Sequence, residues 1–260
     1  MAGESAPLLE VEQITLRFGG VTAINDISFD VRRAELFAII GPNGAGKTSI
    51  FNAISQVYRP QAGDIRWKGE SIIGLRPDRV AQRGIARTFQ NIELFAQMTV
   101  LDNLLMGRHL RMSRSWLAGS LYLGPARREE VEHRRQVETI VEFLEIQEHR
   151  NTPVSLLPYG IQKRIELGRA LAMDPELLLL DEPVAGMSLS ETEDMARFIL
   201  DVQRELGIAM VLVEHDMGLV MDVAERILVL DFGERIAEGR PPEIQTNPDV
   251  IAAYLGVQQF

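Results

Sequence analysis

Residues 41–48 carry a glycine-rich pattern that is suited to holding phosphate. They read Gly-Pro-Asn-Gly-Ala-Gly-Lys-Thr and fit G-x-x-x-x-G-K-[ST]. Glycines let backbone N–H groups surround phosphate oxygens, and the N-terminus of the following helix adds positive potential. Lys47 can bridge the outer phosphates and Thr48 can ligate Mg²⁺, so the pattern predicts a nucleoside triphosphate site. The predicted phosphate-binding residues are Gly41, Pro42, Asn43, Gly44, Ala45, Gly46, Lys47, Thr48 and Ser49.

Two carboxylates and a histidine follow other apolar runs. Asp181 and Glu182 come directly after the leucines of residues 177–180, and His215 follows the run at residues 210–213. Side chains at the carboxyl ends of parallel strands point into the crevice where α/β sheets bind ligands. Asp181 is therefore predicted to hold the hydration shell of Mg²⁺, and Glu182 to polarise an attacking water as the general base of phosphoanhydride hydrolysis. His215 is predicted to donate to a γ-phosphate.

These side chains need a parallel sheet to bring them together. Four short apolar runs have the length of strands and no polar interruption, as expected for strands that are covered on both faces. A helix is predicted between two of them, with a capping-box pattern at Ser190 and Glu193 and a stop at Gly207. The order strand, helix, strand implies parallel pairing. The four runs are residues 36–40, 177–180, 210–213 and 227–230.

The remaining segments follow other patterns. Residues 9–18 and 24–31 alternate apolar and polar positions and residues 63–69 resemble a hairpin arm, which predicts a small antiparallel sheet. Residues 100–151 are helical in pattern and strongly charged, with a break at residues 123–125. We therefore predict an α/β fold: a P-loop NTPase core with a mostly parallel sheet, a small antiparallel β subdomain and a helical insert. The segment Asp231-Phe232-Gly233 is interpreted as a turn after the last core strand.

Composition limits the classes of function. The 260 residues include 27 Lys and Arg against 37 Asp and Glu, a net charge of −10, which argues against nonspecific nucleic-acid binding as the main activity. The absence of cysteine excludes disulfides and thiolate chemistry. The sequence has no apolar run near the ~18 residues that span a bilayer and no signal-peptide pattern, so we expect a cytosolic location.

The motifs together resemble those of the nucleotide-binding subunits of ABC transporters, over essentially the whole chain. The phosphate loop, an Arg87-Thr88-Phe89-Gln90 segment like the Q-loop, the Asp181-Glu182-Pro183 element and His215 occur in the family's order. The resemblance implies the ABC ATPase fold, ATP and Mg²⁺ as ligands, and ATP hydrolysis coupled to transport. It also implies that Phe18 stacks on adenine and that Gln90 senses Mg²⁺ and the transmembrane partner. The signature-like segment is Leu157, Pro158, Tyr159, Gly160, Ile161 and Gln162.

Finer features are similar to LivG-type ATPases of branched-chain amino acid uptake systems. They are residues 83–90, a long insert after residues 106–109, and the ending at residues 253–256. The likeness implies uptake of branched-chain amino acids or a related small solute. It implies as partners a second ABC ATPase subunit in a homodimer or heterodimer, two transmembrane permease subunits and, indirectly, an extracytoplasmic solute-binding protein, with no nucleic acid. It places the chain peripherally at the cytoplasmic face of the inner membrane.

In domain terms, the family resemblance gives specific boundaries. The nucleotide-binding core with its N-terminal antiparallel β subdomain is expected in residues 1–92 and 168–240. The helical subdomain, which ends in the signature loop, is expected in residues 93–167, and a C-terminal tail in residues 241–260.

Within the insert, residues 103–128 hold five arginines and no acidic residue. They form either a solvated helical face or a contact zone for the membrane subunits or anionic lipid headgroups. The arginines are Arg108, Arg111, Arg114, Arg127 and Arg128.

The chain departs from the family pattern at the signature. Pro158 stands where the family has serine, and it has neither a hydroxyl nor a backbone N–H. Tyr159 replaces a glycine, Ile161 replaces the glutamine, and Ser188 stands where the wider family has aspartate. Because the signature completes the partner's site in a sandwich dimer, these changes predict asymmetric function in a heterodimer: the site built on Lys47 hydrolyses ATP, and the site facing Pro158 binds or turns over slowly. In a homodimer both sites would carry the change, which predicts low basal activity.

Another class of function stays open from the sequence alone. A soluble ABC ATPase of the iron–sulfur assembly or translation type would share the phosphate loop and the acidic pair without any link to transport. Translation factors usually carry two cassettes in one chain, whereas this sequence has one phosphate loop. A GTPase would need a guanine-reading Asn-Lys-x-Asp, which is absent.

Overall fold

A computed structural model describes residues 6–109 and 125–255 of the chain. Its strands form two sheets that share one layer of apolar side chains. The strands are β1 (Leu9–Phe18), β2 (Val21–Val31), β3 (Leu36–Ile40), β4 (Ala62–Trp67), β5 (Glu70–Ser71), β6 (Ile85–Arg87), β7 (Leu177–Asp181), β8 (Ala209–Val213), β9 (Arg226–Asp231) and β10 (Glu234–Gly239). The helices are α1 (Lys47–Ile54), α2 (Pro77–Gln82), α3 (Val100–Arg108), α4 (Pro125–Phe143), α5 (Tyr159–Leu171), α6 (Leu189–Leu206), α7 (Met217–Val223), α8 (Pro241–Gln245) and α9 (Pro248–Leu255).

The core sheet has the order β10-β9-β3-β8-β7-β6, and only β10 runs antiparallel to its neighbour. All residues of β3, β7 and β8 are buried, because helices cover one face and the second sheet with α1 covers the other. Alternate residues of β3 accordingly enter different core clusters: Ala38 packs with the helices, while Phe37 and Ile39 pack with the second sheet. The predicted mostly parallel sheet is confirmed.

The second sheet is antiparallel, in the order β2-β1-β4-β5. Phe29 of β2 stacks on Phe37 of β3, with ring centroids 5.3 Å apart. Helix α1 inserts Ile50 and Phe51 into the same cluster, so the helix that begins at the phosphate loop is packed between the two sheets. This packing fixes the direction of α1, and therefore the direction in which its N-terminal N–H groups point.

The helical segments pack on the other face of the core sheet. Helices α3, α4 and α5 contribute apolar residues to one cluster with the strands. Arg108, at the end of α3, is only 7% exposed and donates to the carbonyl of Ala172 and to His133. It therefore cannot belong to an exposed basic patch, and the predicted contact zone loses this residue. Arg111 and Arg114 lie outside the described residues. No helix in the described parts of the chain has the length and apolar character needed to cross a bilayer.

The predicted cap of α6 is wrong by two residues. Ser188, and not Ser190, is the N-cap: its hydroxyl accepts from the backbone N–H of Glu191, whose carboxylate accepts from the N–H of Ser188. The sequence contains Ser-x-x-Glu twice, at 188–191 and 190–193, so the local pattern is ambiguous. A tertiary contact decides between them, because Glu191 also accepts a hydrogen bond from the backbone of Gly160 in α5.

Ser188→Ala is expected to lower the free energy of unfolding by about 1 kcal/mol, because the mutant loses the cap of α6. Ser190→Ala is the matched control: it lies inside the first turn and should change stability by less than about 0.5 kcal/mol. Urea unfolding of the two variants measures the difference. A larger loss of unfolding free energy for Ser190→Ala than for Ser188→Ala would show that Ser190 is the N-cap, as predicted from the sequence.

Candidate functional site

The phosphate loop leaves the carboxyl end of β3 in a conformation that needs glycine at two positions. A Cβ on Gly41 would lie 2.1 Å from the carbonyl oxygen of Leu230. Gly46, the N-cap of α1, has φ 102°, and a Cβ there would lie 2.4 Å from the carbonyl oxygen of Ala23. Neighbouring backbone therefore approaches the loop too closely for any side chain, which accounts for the glycines at these points.

Lys47 is folded back against its own loop. Its ammonium donates to the carbonyl oxygens of Gly41 at 2.6 Å and Pro42 at 3.0 Å. Burial lowers the pKa of Lys47, and the nearby carboxylates of Glu182 and Asp181 oppose that shift. The ammonium is thus held at the loop by weakly competing carbonyl groups, where an incoming phosphate oxygen can replace them.

A cavity of about 330 Å³ lies beside this loop. Four separate parts of the chain form its walls: the phosphate loop, the start of β2, the segment after β7 and the segment after β8. Phe232, in the turn between β9 and β10, closes the rim and is 85% exposed. The sequence analysis interpreted this segment only as a turn. The lining residues are Val21, Thr22, Ala23, Asn43, Gly44, Ala45, Gly46, Lys47, Thr48, Ser49, Glu182, His215 and Phe232.

Phe18 does not line the cavity. It stands at the end of β1, where it pairs in register with Val21, which does line the cavity. Its ring is half-exposed and packs edge-on to Tyr58, with centroids 4.9 Å apart and an interplanar angle of 76°. A stacking role for Phe18 therefore stays a prediction.

Glu182 is held by two of the predicted residues. The amide of Gln90 donates to one carboxylate oxygen at 2.7 Å, and Nε2 of His215 lies 2.7 Å from the other. Glu182 has φ 49°, a left-handed conformation that is rare for residues other than glycine. Its N–H donates to the carbonyl of Val213 at 2.8 Å, which fixes this turn against β8. Strain of this kind is concentrated at functional sites.

Asp181 has a partner that the sequence analysis did not identify. The Arg87 guanidinium donates to its carboxylate at 2.7 Å and to the side chain of Asn52 at 2.7 Å. Asp181 is buried, and the Arg87 side chain is only 11% exposed. Arg87 ends β6, the neighbour of β7, so the pairing follows from the strand order. The available signal was a charged residue beside Thr88-Phe89-Gln90, but a strand of three residues is too short to recognise from its pattern.

Glu214 is a second residue that the sequence analysis missed. Its buried carboxylate accepts from the backbone N–H of Val184 at 3.0 Å and of His215 at 2.8 Å. It therefore joins the segment after Glu182 to the segment that carries His215. Burial raises the pKa of this carboxyl, and the backbone donors oppose the shift. A charged residue at the end of the apolar run of β8 was the signal that could have identified it.

Comparison with known proteins places these features in a family. A family profile described as "ABC transporter" matches residues 24–185. The chain belongs to the ABC transporter family. A second profile, "Branched-chain amino acid ATP-binding cassette transporter", matches residues 234–258. The resemblance to LivG-type ATPases is confirmed by relatives that align over almost the whole chain.

Two such relatives are transport proteins by name. The high-affinity branched-chain amino acid transport ATP-binding protein BraF of Pseudomonas aeruginosa is 42% identical, over 97% of this chain and 99% of its own. LivG of Escherichia coli K12, of the same description, is 39% identical over 97% and 99%. A crystal structure of an ATP-binding cassette of an ABC transporter in its ADP conformation superimposes with a TM-score of 0.84 at 30% identity, covering 97% of this chain and 100% of that one. The ABC ATPase fold is thereby confirmed.

The ABC signature segment lies away from the cavity. None of its residues from Leu157 to Gln162 is among the lining residues named above. Pro158 is the N-cap of α5 and accepts from the N–H of Gln162 through its carbonyl. The Tyr159 hydroxyl donates to the carbonyl of Ala185 at 3.1 Å. The segment is thus attached to the loop that follows Glu182 within the same ABC subunit.

The C-terminal part of the ABC chain also contacts the phosphate loop. Tyr254 of α9 lies within the segment that the branched-chain amino acid profile matches. Burial raises the pKa of Tyr254 to about 12, opposed by a hydrogen bond from the backbone of Gly41. The tail therefore contacts the first residue of the loop.

The residues predicted to hold Mg²⁺ are of suitable chemistry. Mg²⁺ prefers hydroxyl, carboxylate, amide and phosphate oxygens. Thr48 lines the cavity, and Asp181 and Gln90 stand at the adjoining carboxyl ends of β7 and β6. In the described parts of the chain no group of three or more His, Asp and Glu side chains could hold a metal ion. The residue types fit a metal that is shared with a bound phosphate.

Proposed function

We propose that this chain is the ATP-binding and ATP-hydrolysing subunit of an ABC transporter that takes up branched-chain amino acids or a related small solute. The observation that carries the proposal is Glu182, which is held on both carboxylate oxygens at the wall of the phosphate-loop cavity. The alternative of a non-transport ABC ATPase is not favoured, because the relatives aligned over the full chain are named as transport proteins.

In the proposed reaction the phosphate loop and Lys47 bind the phosphates of ATP. Glu182 accepts the proton of a water whose oxygen attacks the γ-phosphorus; the bond to the β,γ-bridging oxygen breaks, and ADP and phosphate are the products. Gln90 and His215 keep the Glu182 carboxylate oriented. Thr48, Asp181 and Gln90 would hold Mg²⁺, which supplies positive charge to the phosphates when bound. His215 can then donate to a γ-phosphate oxygen.

The partners belong to the same proposal. The chain would pair with a second ABC ATPase, with two permease subunits in the membrane and, indirectly, with a solute-binding protein. In this proposal the complex lies at the cytoplasmic face of the inner membrane, and the relatives named as transport ATP-binding proteins support its role in transport. Pro158 supports the predicted asymmetry, because at the N-cap of α5 it offers no hydroxyl and no N–H to a phosphate of the facing subunit.

The solute is tested by uptake in cells that lack this chain. Cells supplied again with the wild-type chain should recover uptake of radiolabelled leucine, isoleucine or valine, while cells supplied with Lys47→Ala should not. Urea, an amide and an aromatic acid serve as comparison solutes. Recovery of one of these without recovery of leucine, isoleucine or valine would replace the solute class, and no effect on any uptake would contradict the transport function.

The asymmetry is tested in the complex of this chain with its natural partner. Glu182→Gln in this chain is expected to lower ATPase activity by about 10²-fold or more, whereas the equivalent change in the partner should lower it only a few-fold. Both variants are compared at saturating ATP in the same preparation. Equal losses would contradict asymmetric function.

A further inference from the structure

Three charged side chains of α5 form hydrogen bonds with the backbone of the Q-loop and of the residues that follow it. Lys163, Glu166 and Arg169 are spaced three residues apart, so their side chains leave the same side of the helix. The ammonium of Lys163 donates to the carbonyl of Gln90 at 2.9 Å, and the N–H of Phe89 donates to Glu166 at 3.3 Å. Arg169 donates to the carbonyl of Glu93. We refer to these three side chains as the α5 clamp.

The α5 clamp contains buried charged side chains, and removing charges from water costs solvation free energy. The side chains of Lys163 and Glu166 are 1% and 3% exposed and lie 3.5 Å apart. Burial of two charges offers little or no net stability compared with well-packed apolar residues. The contacts of the clamp are to backbone atoms, so they define the path of residues 89–93 whatever side chains that segment carries. Both facts favour a positional role for the charges.

Gln90, whose backbone the clamp holds, also contacts Glu182 through its side chain. The carbonyl of Gln90 is bound by Lys163, while its side-chain amide donates to Glu182 at 2.7 Å. A shift of the Gln90 backbone by about 1 Å would exceed the range in which that hydrogen bond keeps its strength. The same helix begins at the signature segment, with Pro158 as its N-cap. One rigid element therefore carries the signature at its end and the clamp along its side.

We propose that Lys163, Glu166 and Arg169 are positioning residues that keep Gln90 on Glu182. Through them, a displacement of the signature segment changes the orientation of the carboxylate. The inference rests on the proposed function, in which Glu182 is the base. The clamp should therefore affect the rate of hydrolysis and leave the binding of ATP by the phosphate loop unchanged.

The test compares variants of two adjacent basic residues of α5 in the assembled transporter complex. Lys163→Met should lower kcat for ATP hydrolysis by about tenfold and change KM for ATP less than about twofold, as expected for an interaction that acts on the rate alone. Lys163→Arg, which can still donate to the carbonyl, should recover most of kcat. Arg164→Met is the matched control: Arg164 pairs with Asp194 and lies over the ring of Phe198, and kcat should stay unchanged.

A double mutant tests whether Lys163 acts on kcat through Gln90. If Lys163 acts through Gln90, then Lys163→Met should lower kcat no further in a Gln90→Ala background. An equal loss in both backgrounds, or an unchanged kcat for Lys163→Met when Glu182→Gln abolishes hydrolysis, would overturn the α5 clamp. Substantial hydrolysis by Glu182→Gln would instead overturn the proposed function. If Lys163→Met does not fold, Arg169→Ala carries the same comparison, because its side chain is less buried.

Discussion

Glu182→Gln is expected to lower kcat for ATP hydrolysis by about 10²–10⁴-fold, the usual contribution of a positioned general base. Glutamine keeps the size of the side chain, but it cannot accept the proton of the attacking water. ATP should bind with nearly unchanged affinity, because the phosphate loop and Lys47 are intact. Hydrolysis is measured as phosphate release by the assembled complex, and binding by the fluorescence of a labelled ATP analogue.

The matched control for this variant is Glu176→Gln. Glu176 stands before β7, at the opposite end of the strand from Glu182, and its exposed carboxylate pairs with Lys68 and Arg33. Removing this charge should change kcat less than about twofold, since exposed ion pairs contribute little energy. A Glu182→Gln complex that keeps more than about a tenth of the wild-type kcat would show that another group takes the proton, since a lost base costs at least ~10²-fold.

Lys47→Ala is expected to weaken ATP binding by roughly 10–10³-fold. Hydrogen bonds to charged groups contribute about 1.5–3 kcal/mol each, and the ammonium can make one or two to the outer phosphates. The loss should appear as a higher Kd in isothermal titration calorimetry. The free energy of unfolding should change far less, because within the described residues the ammonium of Lys47 donates to carbonyl groups of its own loop.

Lys68→Ala provides the comparison for Lys47. Lys68 carries the same charge, lies in the turn after β4 and pairs with Glu176 at the surface. Its replacement should leave the Kd for ATP unchanged. If the two lysine variants bind ATP equally well, the phosphate loop of this chain does not use its lysine as proposed.

The core strands could be predicted because their physical cause is local. The five residues of β3 are all apolar and all buried, so the sequence pattern and the structure report the same fact. Strand β6 escaped prediction because it has only three residues, Ile85–Arg87, and ends in a charge. Strand β10 escaped because it is an edge strand whose residues are mostly polar or partly exposed. The proposed division into residues 1–92 with 168–240, 93–167 and 241–260 stays a prediction.

The candidate site likewise has residues that could be predicted from the sequence and residues that could not. The phosphate loop is one continuous segment, so its residues could be named from spacing alone. The contacts of Arg87 with Asp181 and of Glu214 with Val184 join different strands, and they depend on the order β6-β7-β8. The Ser188 cap likewise depended on a contact with α5. The phosphate loop could be predicted from local spacing and Gln90 and His215 from the family's motif order, whereas Arg87 and Glu214, whose contacts depend on the strand order, could not be assigned.

The most direct measurement of the central claim is leucine accumulation by proteoliposomes that contain the whole complex. ATP is enclosed with the ATPase subunits, and the solute-binding protein and radiolabelled leucine are supplied on the other side. With wild-type chain, leucine should accumulate in proportion to the ATP hydrolysed. With Glu182→Gln, the complex should still bind ATP but neither hydrolyse it nor accumulate leucine. Accumulation that continues in the Glu182→Gln complex would contradict the account, because transport would then draw its energy from a site other than the one built on Lys47 and Glu182.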